Sequence, residues 1–156
     1  MIAKLSAGLL LYRKNQSKTE VFLVHPGGPY WKSKDEGVWS IPKGEFNEDE
    51  DPLDAAKREF FEETGTIISG EFFELQSVKL KSGKKVFAWI IEKNIEAENI
   101  VSNNFEMEWP PRSGKFQSFP EVDKGEWMTI EKAKKKINMG QKSFLEQLQQ
   151  ILERET

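Results

Sequence analysis

Short apolar runs separated by polar turns dominate the first part of the chain. The stretch Ser6 to Tyr12 is apolar and rich in leucine, and Val21 to Val24 is an apolar run with two β-branched residues. The polar segment Lys14 to Thr19 lies between them, so the pattern predicts two strands joined by a turn. From Pro26 to Gly37 glycine, proline and charged residues accumulate, which predicts a long loop of the kind that often carries function.

The pattern becomes helical between Asp51 and Thr64. Its apolar residues recur at positions i, i+3 and i+7, as expected for one face of a helix: Leu53, Ala56 and Phe60. Pro52 suits the first turn of this helix, and Gly65 suits the left-handed position just beyond its end. The sequence therefore predicts a helix over this stretch, with its apolar side buried against a sheet.

Further strands and two helices are predicted downstream. A β-hairpin around Ser82-Gly83 and a strand within Asn99 to Glu108 come first, and a loop then continues from Trp109 toward Pro120. The remaining elements are a short strand, Glu126 to Thr129, and two helices, Glu131 to Ile137 and Gln141 to Glu153. Mixed strands with helices on both sides predict an α/β/α sandwich with a mixed central sheet. We expect one domain over residues 1–156.

Composition narrows the chemistry further. The 156 residues include no cysteine, which excludes disulfides and thiolate metal sites and leaves oxygen ligands or the single His25. We expect His25 to be a packed or capping residue rather than a ligand. The net charge of -3 argues against a stable nucleic-acid partner. Since no apolar stretch is long enough to span a bilayer, we expect no membrane partner and a cytoplasmic protein. The oligomeric state stays open.

An acidic cluster provides the most specific signal. Glu59, Glu62 and Glu63 stand at i, i+3 and i+4, so on a helix they share one arc. Like charges at this spacing weaken a helix by a few tenths of a kcal/mol per pair unless a cation compensates them. A hard divalent cation such as Mg²⁺ is the expected compensation, and a solvated acidic helix is the alternative interpretation.

The surrounding residues resemble the signature of a known family. Gly44, Glu50 and the run Arg58-Glu59-Phe60-Phe61-Glu62-Glu63-Thr64-Gly65 match the fixed positions of the Nudix box, the motif of hydrolases that cleave nucleoside diphosphates linked to another group. Residues 44–65 are called the box below. One departure is Thr66, where the family usually has an aliphatic residue, and we expect the apolar anchor to be displaced by one residue. The resemblance also implies the α/β/α fold.

The resemblance implies a Mg²⁺ cofactor, with Mn²⁺ as an alternative. Glu59 and Glu63 are the expected metal ligands, Glu62 is expected to coordinate directly or through water, and the carbonyl of Gly44 is expected to complete the set. The number of metal ions stays open. Arg58 is expected to pair bidentately with a carboxylate, either Glu50 or an acid of the box, and thereby to orient it.

A further acid outside the box is typical of the family, shortly before a strand that contains tryptophan. Glu121 lies six residues before Trp127 and resembles this position, so we expect it to be a metal ligand or the general base. An ordinary loop acid is the alternative interpretation for Glu121. Glu59 is the competing candidate for the base, and the sequence does not decide between them.

Candidate substrate contacts are spread over three segments. Lys43 directly precedes the box and is expected to contact a phosphate, because Pro42 makes the approach extended. Arg112 and Lys115 are candidates for distal phosphates, with solvated loop charges as an equal alternative. The candidate aromatic partners of a base are Tyr30, Trp31, Trp39, Phe116 and Phe119. Most aromatic residues belong to a core, so we expect at most two of these to bind substrate.

The resemblance implies Mg²⁺-dependent hydrolysis of a phosphoanhydride bond. Short dinucleoside tetraphosphate hydrolases are the most similar branch, which favours a dinucleoside polyphosphate such as diadenosine tetraphosphate, split into ATP and AMP. A MutT-like nucleoside triphosphate pyrophosphohydrolase, acting for instance on oxidised dGTP, is the alternative enzyme. A Nudix-fold module that binds a nucleotide without cleaving it is a third hypothesis, although such a module should have lost acids of the box.

Overall fold

A computed structural model describes residues 4–155 of the protein. The described helices are α1 (Pro52–Thr64), α2 (Ile130–Lys136) and α3 (Lys142–Arg154). The strands are β1 (Leu5–Asn15), β2 (Lys18–Pro26), β3 (Lys43–Phe46), β4 (Phe73–Glu74), β5 (Val78–Lys79), β6 (Lys85–Glu92), β7 (Asn104–Glu108), β8 (Phe116–Pro120) and β9 (Val122–Thr129). Short 3₁₀ turns lie at Ala97–Asn99 and Met139–Gln141.

A mixed seven-stranded sheet forms the centre of the molecule; five strands follow the order β4-β6-β1-β2-β9, and β3 and β5 pair additionally with β1 and β6. β1 runs parallel to β6, and its other edge is shared by two antiparallel partners. β3 pairs with Leu5 to Gly8 of β1, whereas β2 pairs with Tyr12 to Asn15. The two partners therefore separate beside the middle of β1. The box begins on β3, next to this point of separation.

Helices cover both faces of the sheet, because successive residues of β1 point to opposite faces. Leu10 belongs to a buried cluster with Phe144 and Leu148 of α3, on one face. Leu9 belongs to a second cluster with Phe60 of α1, on the other face. The α/β/α sandwich with a mixed central sheet is thus confirmed.

The predicted helix of the box is present as α1, and its ends follow from local chemistry. Asp51 is the N-cap, where its side chain accepts a hydrogen bond from the backbone N–H of Asp54. Gly65 adopts the left-handed conformation (φ 76°) and donates its N–H to the carbonyl of Phe61. The helix therefore starts and stops at fixed residues, so the register of its acidic face is fixed as well.

The largest difference from the sequence prediction lies between residues 104 and 120. The predicted loop toward Pro120 contains a second strand, β8, which pairs antiparallel with β7 in a separate two-stranded sheet. β8 was not predicted because Gln117 and Ser118 interrupt its apolar residues, and a hairpin outside the central sheet needs no continuous apolar face. The predicted strand Glu126 to Thr129 also begins earlier, at Val122, where it pairs with Pro26 of β2.

Two smaller differences concern strands. The segment Lys43–Phe46 forms β3, which the sequence pattern did not predict, because it has only four residues and includes Gly44. The predicted hairpin around Ser82-Gly83 is present, but its first strand is interrupted into β4 and β5, both paired with β6. Among residues 4–155, no helix has the length and apolar character needed to cross a membrane.

Candidate active site

The three glutamates of α1, Glu59, Glu62 and Glu63, lie on the side of the helix that packs near β3. Glu59 and Glu63 are buried, with relative exposures of 7% and 9%, and Glu62 is half-buried. Burying carboxylates is costly unless they gain partners. The surroundings of these two side chains therefore decide what the cluster can do.

Arg58 is the principal partner of the acids around it. Its Nε and Nη2 donate to the two carboxylate oxygens of Glu50, at 2.9 Å and 3.0 Å. Its Nη1 donates to Oε1 of Glu59 at 2.8 Å and, more weakly, to Glu62 at 3.3 Å. The bidentate contact expected from the sequence is thus present. One planar guanidinium fixes three carboxylates, since its donors form a rigid fork.

Gly44 gives the carboxylate of Glu59 room to approach the backbone of β3. A Cβ atom built at Gly44 would lie only 1.9 Å from Oε2 of Glu59. The φ of Gly44 is not positive, so close approach rather than backbone conformation requires glycine here. The carboxylate of Glu59 therefore lies directly against the backbone of Gly44, whose carbonyl is a predicted metal ligand.

Burial and mutual repulsion raise the pKa of two acids into the neutral range. Burial first, and then the charges of Glu59 and Glu121, raise the pKa of Glu63 to about 8. Burial and the neighbouring Glu62 raise the pKa of Glu59 to about 7, although Arg58 opposes this. The positive charge near each acid, including that of Arg58, is thus too small to keep its carboxylate fully ionised at neutral pH.

Lys43 supplies part of the missing charge from β3. Its ammonium and its backbone N–H both favour the ionised form of Glu63. Burial lowers the pKa of Lys43 itself, and the neighbouring Lys84 lowers it further. Lys43 therefore lies among the acids, as expected for a residue that contacts a phosphate, although that contact is still a prediction.

Glu121 approaches the same place from the junction of β8 and β9. A cavity of about 180 Å³ is lined by Lys43, Glu63 and Glu121 together with the following residues: Val24, Pro26, Ser40, Ile41 and Val122. Burial and the charge of Glu62 raise the pKa of Glu121. The structure therefore brings this remote acid, more than fifty residues from the box in sequence, into electrostatic contact with it.

The donor set suits a hard divalent cation. Within residues 4–155, no three acidic or histidine side chains are already arranged as a set of cation ligands, and Arg58 donates to both Glu59 and Glu62. The buried, charge-deficient Glu59 and Glu63 and the space at Gly44 nevertheless fit such an ion, which prefers oxygen ligands.

The predicted aromatic contacts are distributed unevenly. Trp39 is buried at 2% exposure, its indole N–H donates to Asp35, and its ring packs against His25. This placement does not support base stacking on Trp39. Tyr30 is 55% exposed and meets the edge of Trp109 with ring centroids 5.3 Å apart. Trp31 and Phe116 are also exposed, whereas Phe119 packs against Phe105.

Arg112 and Lys115 lie at the exposed tip of the β7–β8 hairpin. The backbone N–H of Arg112 donates to the carboxylate of Glu108, and so does that of Gly114. Neither Arg112 nor Lys115 lines the cavity beside Glu63 and Glu121. The structure therefore does not bring these two predicted residues to the acids.

Two buried polar residues have clear structural partners. His25 is 3% exposed and lies 2.9 Å from Asp123 through Nδ1 and 2.7 Å from the carbonyl of Lys34 through Nε2. The expectation of a packed histidine agrees with this geometry. Gln141 was not singled out in the sequence. Gln141 is fully buried, and its side chain accepts the N–H of Ile41 at 3.0 Å, which fixes the segment before β3. The sequence offers only one signal for this role, the position of Gln141 just before an amphipathic helix.

The apolar anchor that follows the box is displaced farther than expected. Thr66 is half-buried and Ile67 is 80% exposed, whereas Ile68 is 6% exposed and joins the cluster that includes Phe60. The expected displacement by one residue is therefore wrong, and the displacement is two. The hydroxyl of Thr64 accepts the N–H of Thr66, which holds Thr66 back from the core.

Comparison with known proteins places this site in a family. The family model described as NUDIX domain matches residues 3–148. A curated relative, an RNA pyrophosphohydrolase of Bartonella clarridgeiae, is 46% identical over 43 residues, which is 28% of this chain and 20% of the relative. The match thus spans only a fifth of the length of that relative.

Solved structures share the fold at low sequence identity. A C. elegans Ap4A hydrolase in a binary complex is similar at a TM-score of 0.66 and 23% identity, over 97% of this chain and 99% of the other. The NUDIX domain of Shewanella oneidensis NrtR, complexed with ADP ribose, is similar at a TM-score of 0.67 and 15% identity, over 97% and 90%. The family model, the shared fold and the intact box lead to the same conclusion: the chain belongs to the Nudix family.

Proposed function

We propose that this protein hydrolyses a phosphoanhydride bond in a nucleoside diphosphate-linked compound, with Mg²⁺ as cofactor. One observation carries the proposal. Glu63 and Glu121, from two distant segments, line one cavity together with Lys43, and the charges of Glu59 and Glu62 act on these two acids. An acidic helix with only a structural role would not need a remote acid, a buried lysine and a glycine that makes room for a carboxylate at the same place.

The acids are the proposed holders of the cation. Glu59, Glu63 and Glu121 would bind it through carboxylate oxygens, Glu62 directly or through water, and Gly44 through its carbonyl. Mn²⁺ has the same preference for oxygen ligands and is the alternative. When bound, a divalent cation supplies positive charge for the phosphate oxygens and acidifies a water molecule.

Proton transfer would fall to one of these carboxylates. Glu59 and Glu121 are the two candidates for the base, and both have a raised pKa, which makes a carboxylate a better proton acceptor. Arg58 fixes the orientation of Glu59, so that one of its oxygens is directed away from the guanidinium. The ammonium of Lys43 would hold a phosphate of the substrate at the mouth of the cavity.

A dinucleoside polyphosphate such as diadenosine tetraphosphate is the proposed substrate, split into ATP and AMP. The fold similarity to a C. elegans Ap4A hydrolase, over nearly the full length of both chains, supports this choice. Tyr30 offers an exposed ring for a base, on the loop that leads from β2 toward β3. The proposed partner is thus a small nucleotide. We propose the cytoplasm as the location of the protein.

A second candidate is the removal of pyrophosphate from a nucleoside triphosphate or from a 5′-triphosphorylated RNA. The local identity to an RNA pyrophosphohydrolase favours the RNA substrate, and MutT-like action on oxidised dGTP uses the same acids. A module that binds without cleaving is disfavoured, because every acid of the box is retained.

Product analysis tests the proposal. The purified protein is incubated with Mg²⁺ and a panel of diadenosine tetraphosphate, nucleoside triphosphates including oxidised dGTP, a nucleotide sugar and 5′-triphosphorylated RNA. The proposal predicts ATP and AMP from diadenosine tetraphosphate at the highest kcat/KM. Pyrophosphate from a triphosphate at a higher kcat/KM would favour the second candidate, and no turnover of any compound would revive the binding module.

A further inference from the structure

The backbone of Glu121 is tied to two other segments of the chain. Its N–H donates to the carbonyl of Asn103 at 2.8 Å, and its carbonyl accepts the N–H of Gly27 at 2.9 Å. The N–H of Asn103 in turn donates to the carbonyl of Glu62 at 2.7 Å. A short series of backbone hydrogen bonds thus connects the remote acid to the acidic helix α1.

Ser102 reinforces this connection with its side chain. Its hydroxyl accepts the N–H of Val122 at 3.1 Å and donates to the carbonyl of Asn103 at 2.9 Å. Both partners are adjacent to Glu121, one in sequence and the other through a hydrogen bond. The serine therefore braces the backbone that adjoins Glu121.

Gly27 contacts this segment so closely that no larger residue fits. A Cβ atom built at Gly27 would lie 1.9 Å from the carbonyl oxygen of Pro120. That oxygen belongs to rigid backbone, so a side chain at Gly27 would push the residue before Glu121 away. The requirement comes from space alone, because the φ of Gly27 is not positive.

The β7–β8 hairpin, which ends at Pro120, contacts the loop after Gly27 at its base and beside its tip. A Cβ atom at Gly28 would lie 3.0 Å from Cζ of Phe105, and Tyr30 packs against Trp109 at the tip. Gly27 and Gly28 thus contact the base of the hairpin, and Tyr30 contacts Trp109 near its tip. Glu121 lies at the base, between β8 and β9, where no strand pairing holds it.

We propose that Gly27 and Ser102 are positioning residues that hold the Glu121 backbone, and through it the carboxylate, beside α1. The inference rests on the proposed hydrolase function, in which Glu121 serves as a metal ligand or base. A displacement of about 1 Å at a reacting group lowers a rate by orders of magnitude, so a tie of this kind matters more for turnover than for folding.

The first test removes the hydroxyl of Ser102. Ser102→Ala is expected to lower kcat for Mg²⁺-dependent hydrolysis about threefold to tenfold, with KM nearly unchanged, because one hydrogen-bonding group is lost. Ser102→Thr retains the hydroxyl and is expected to restore most of kcat. Ser118→Ala deletes the same group from an exposed position of β8 and is the matched control, with kcat expected to stay at the wild-type value.

A second measurement does not depend on turnover. The concentration of Mn²⁺ that gives half of the maximal rise in Tm reports cation affinity in the substrate-free protein. Ser102→Ala is expected to raise this concentration several-fold, and Gly27→Ala is expected to raise it more, at least about tenfold. Neither change should appear when Glu121→Gln is already present, because the group that they position is then gone.

The outcomes separate the two proposals. If the wild type turns over no compound of the panel, the hydrolase function is overturned and only the Mn²⁺ titration bears on positioning. If the wild type is active but Ser102→Ala and Gly27→Ala match it in kcat and in Mn²⁺ affinity, the positioning role is overturned. Equal losses in the wild-type and Glu121→Gln backgrounds overturn it as well.

Discussion

Glu59 and Gly44 are in such close contact that the second residue must lack a side chain. The 1.9 Å between Oε2 of Glu59 and a Cβ atom built at Gly44 is far below any normal contact. Helix α1 and strand β3 therefore pack against each other through the carboxylate of Glu59. This contact explains in physical terms why the acidic motif begins with a glycine on β3.

Gly44→Ala is expected to displace the carboxylate of Glu59 and to lower kcat at least about tenfold, since a ligand and candidate base is moved from its site. The free energy of unfolding should fall by only about 1–3 kcal/mol, as for other overpacked sites. Gly140→Ala is the control, because its added Cβ meets the side chains of Leu80 and Asn138 and no acid. Wild-type kcat in Gly44→Ala would refute the contact.

The bidentate pair between Arg58 and Glu50 gives a second prediction. Arg58→Lys keeps the charge but has a single nitrogen, so it cannot hold Glu50, Glu59 and Glu62 at once. We expect kcat to fall about tenfold or more with little loss of fold. Glu50→Gln combined with Arg58→Lys should cost little more than Arg58→Lys alone. Fully additive losses would mean that the pair does not act as a unit.

Stability should depend on pH through Glu63. The unfolded chain releases this proton near pH 4.5, but the folded protein retains it up to about pH 8. Between these values the folded state binds more protons, so the free energy of unfolding falls as pH rises, by at most roughly 1.4 kcal/mol per pH unit. Below pH 4.5 this contribution is constant, and above pH 8 the loss is complete.

Glu63→Gln removes that titration and is the matched control. Urea unfolding of both proteins without divalent cations, from pH 4.5 to 8.5, should show a flatter profile for the variant. Mg²⁺ should flatten the wild-type profile too, because cation binding favours the ionised carboxylate. Parallel profiles for the two proteins would contradict the raised pKa of Glu63.

Much of the fold could be predicted from the sequence, since β1 is a clear apolar run, and α1 shows helical periodicity and has a proline, a cap and a glycine at its ends. The acids of the box could be located because helix geometry fixes their common face. The burial of Trp39 could not be predicted, because the local sequence is the same whether this tryptophan stacks on a ligand or packs against His25. β8 was not predicted either, since it is short and Gln117 and Ser118 interrupt its apolar residues, whereas the strand predicted within Asn99 to Glu108 is present as β7.

Gln141 illustrates a contact that depends on the tertiary fold alone. Gln141 has zero exposure, and its side chain accepts the N–H of Ile41, which is 100 residues away in sequence. Gln141→Leu should leave that N–H buried and unpaired, at a cost of about 1–3 kcal/mol. Gln147→Leu is the control, because Gln147 bridges the backbone of Gln76 at an exposed site. Chemical denaturation should rank Gln141→Leu as clearly less stable than Gln147→Leu.

Lys43 should affect substrate binding more than the chemical step. Lys43→Met removes the ammonium that lies beside Glu63 while keeping most of the packing of the side chain. We expect KM for diadenosine tetraphosphate to rise about tenfold and kcat to change less, since one contact to a phosphate is lost. Steady-state kinetics at saturating Mg²⁺ would check this. An unchanged KM would assign Lys43 a purely structural role.

The most direct test of the account is the Mg²⁺-dependent turnover of diadenosine tetraphosphate by the wild type and by Glu63→Gln, with circular dichroism to verify that both are folded. We predict formation of ATP and AMP by the wild type, its abolition by a chelator, and a loss of at least about 100-fold in kcat for the variant, because a buried acid of the metal site is neutralised. Turnover by folded Glu63→Gln at the wild-type rate, or turnover that survives the chelator, would contradict the central claim.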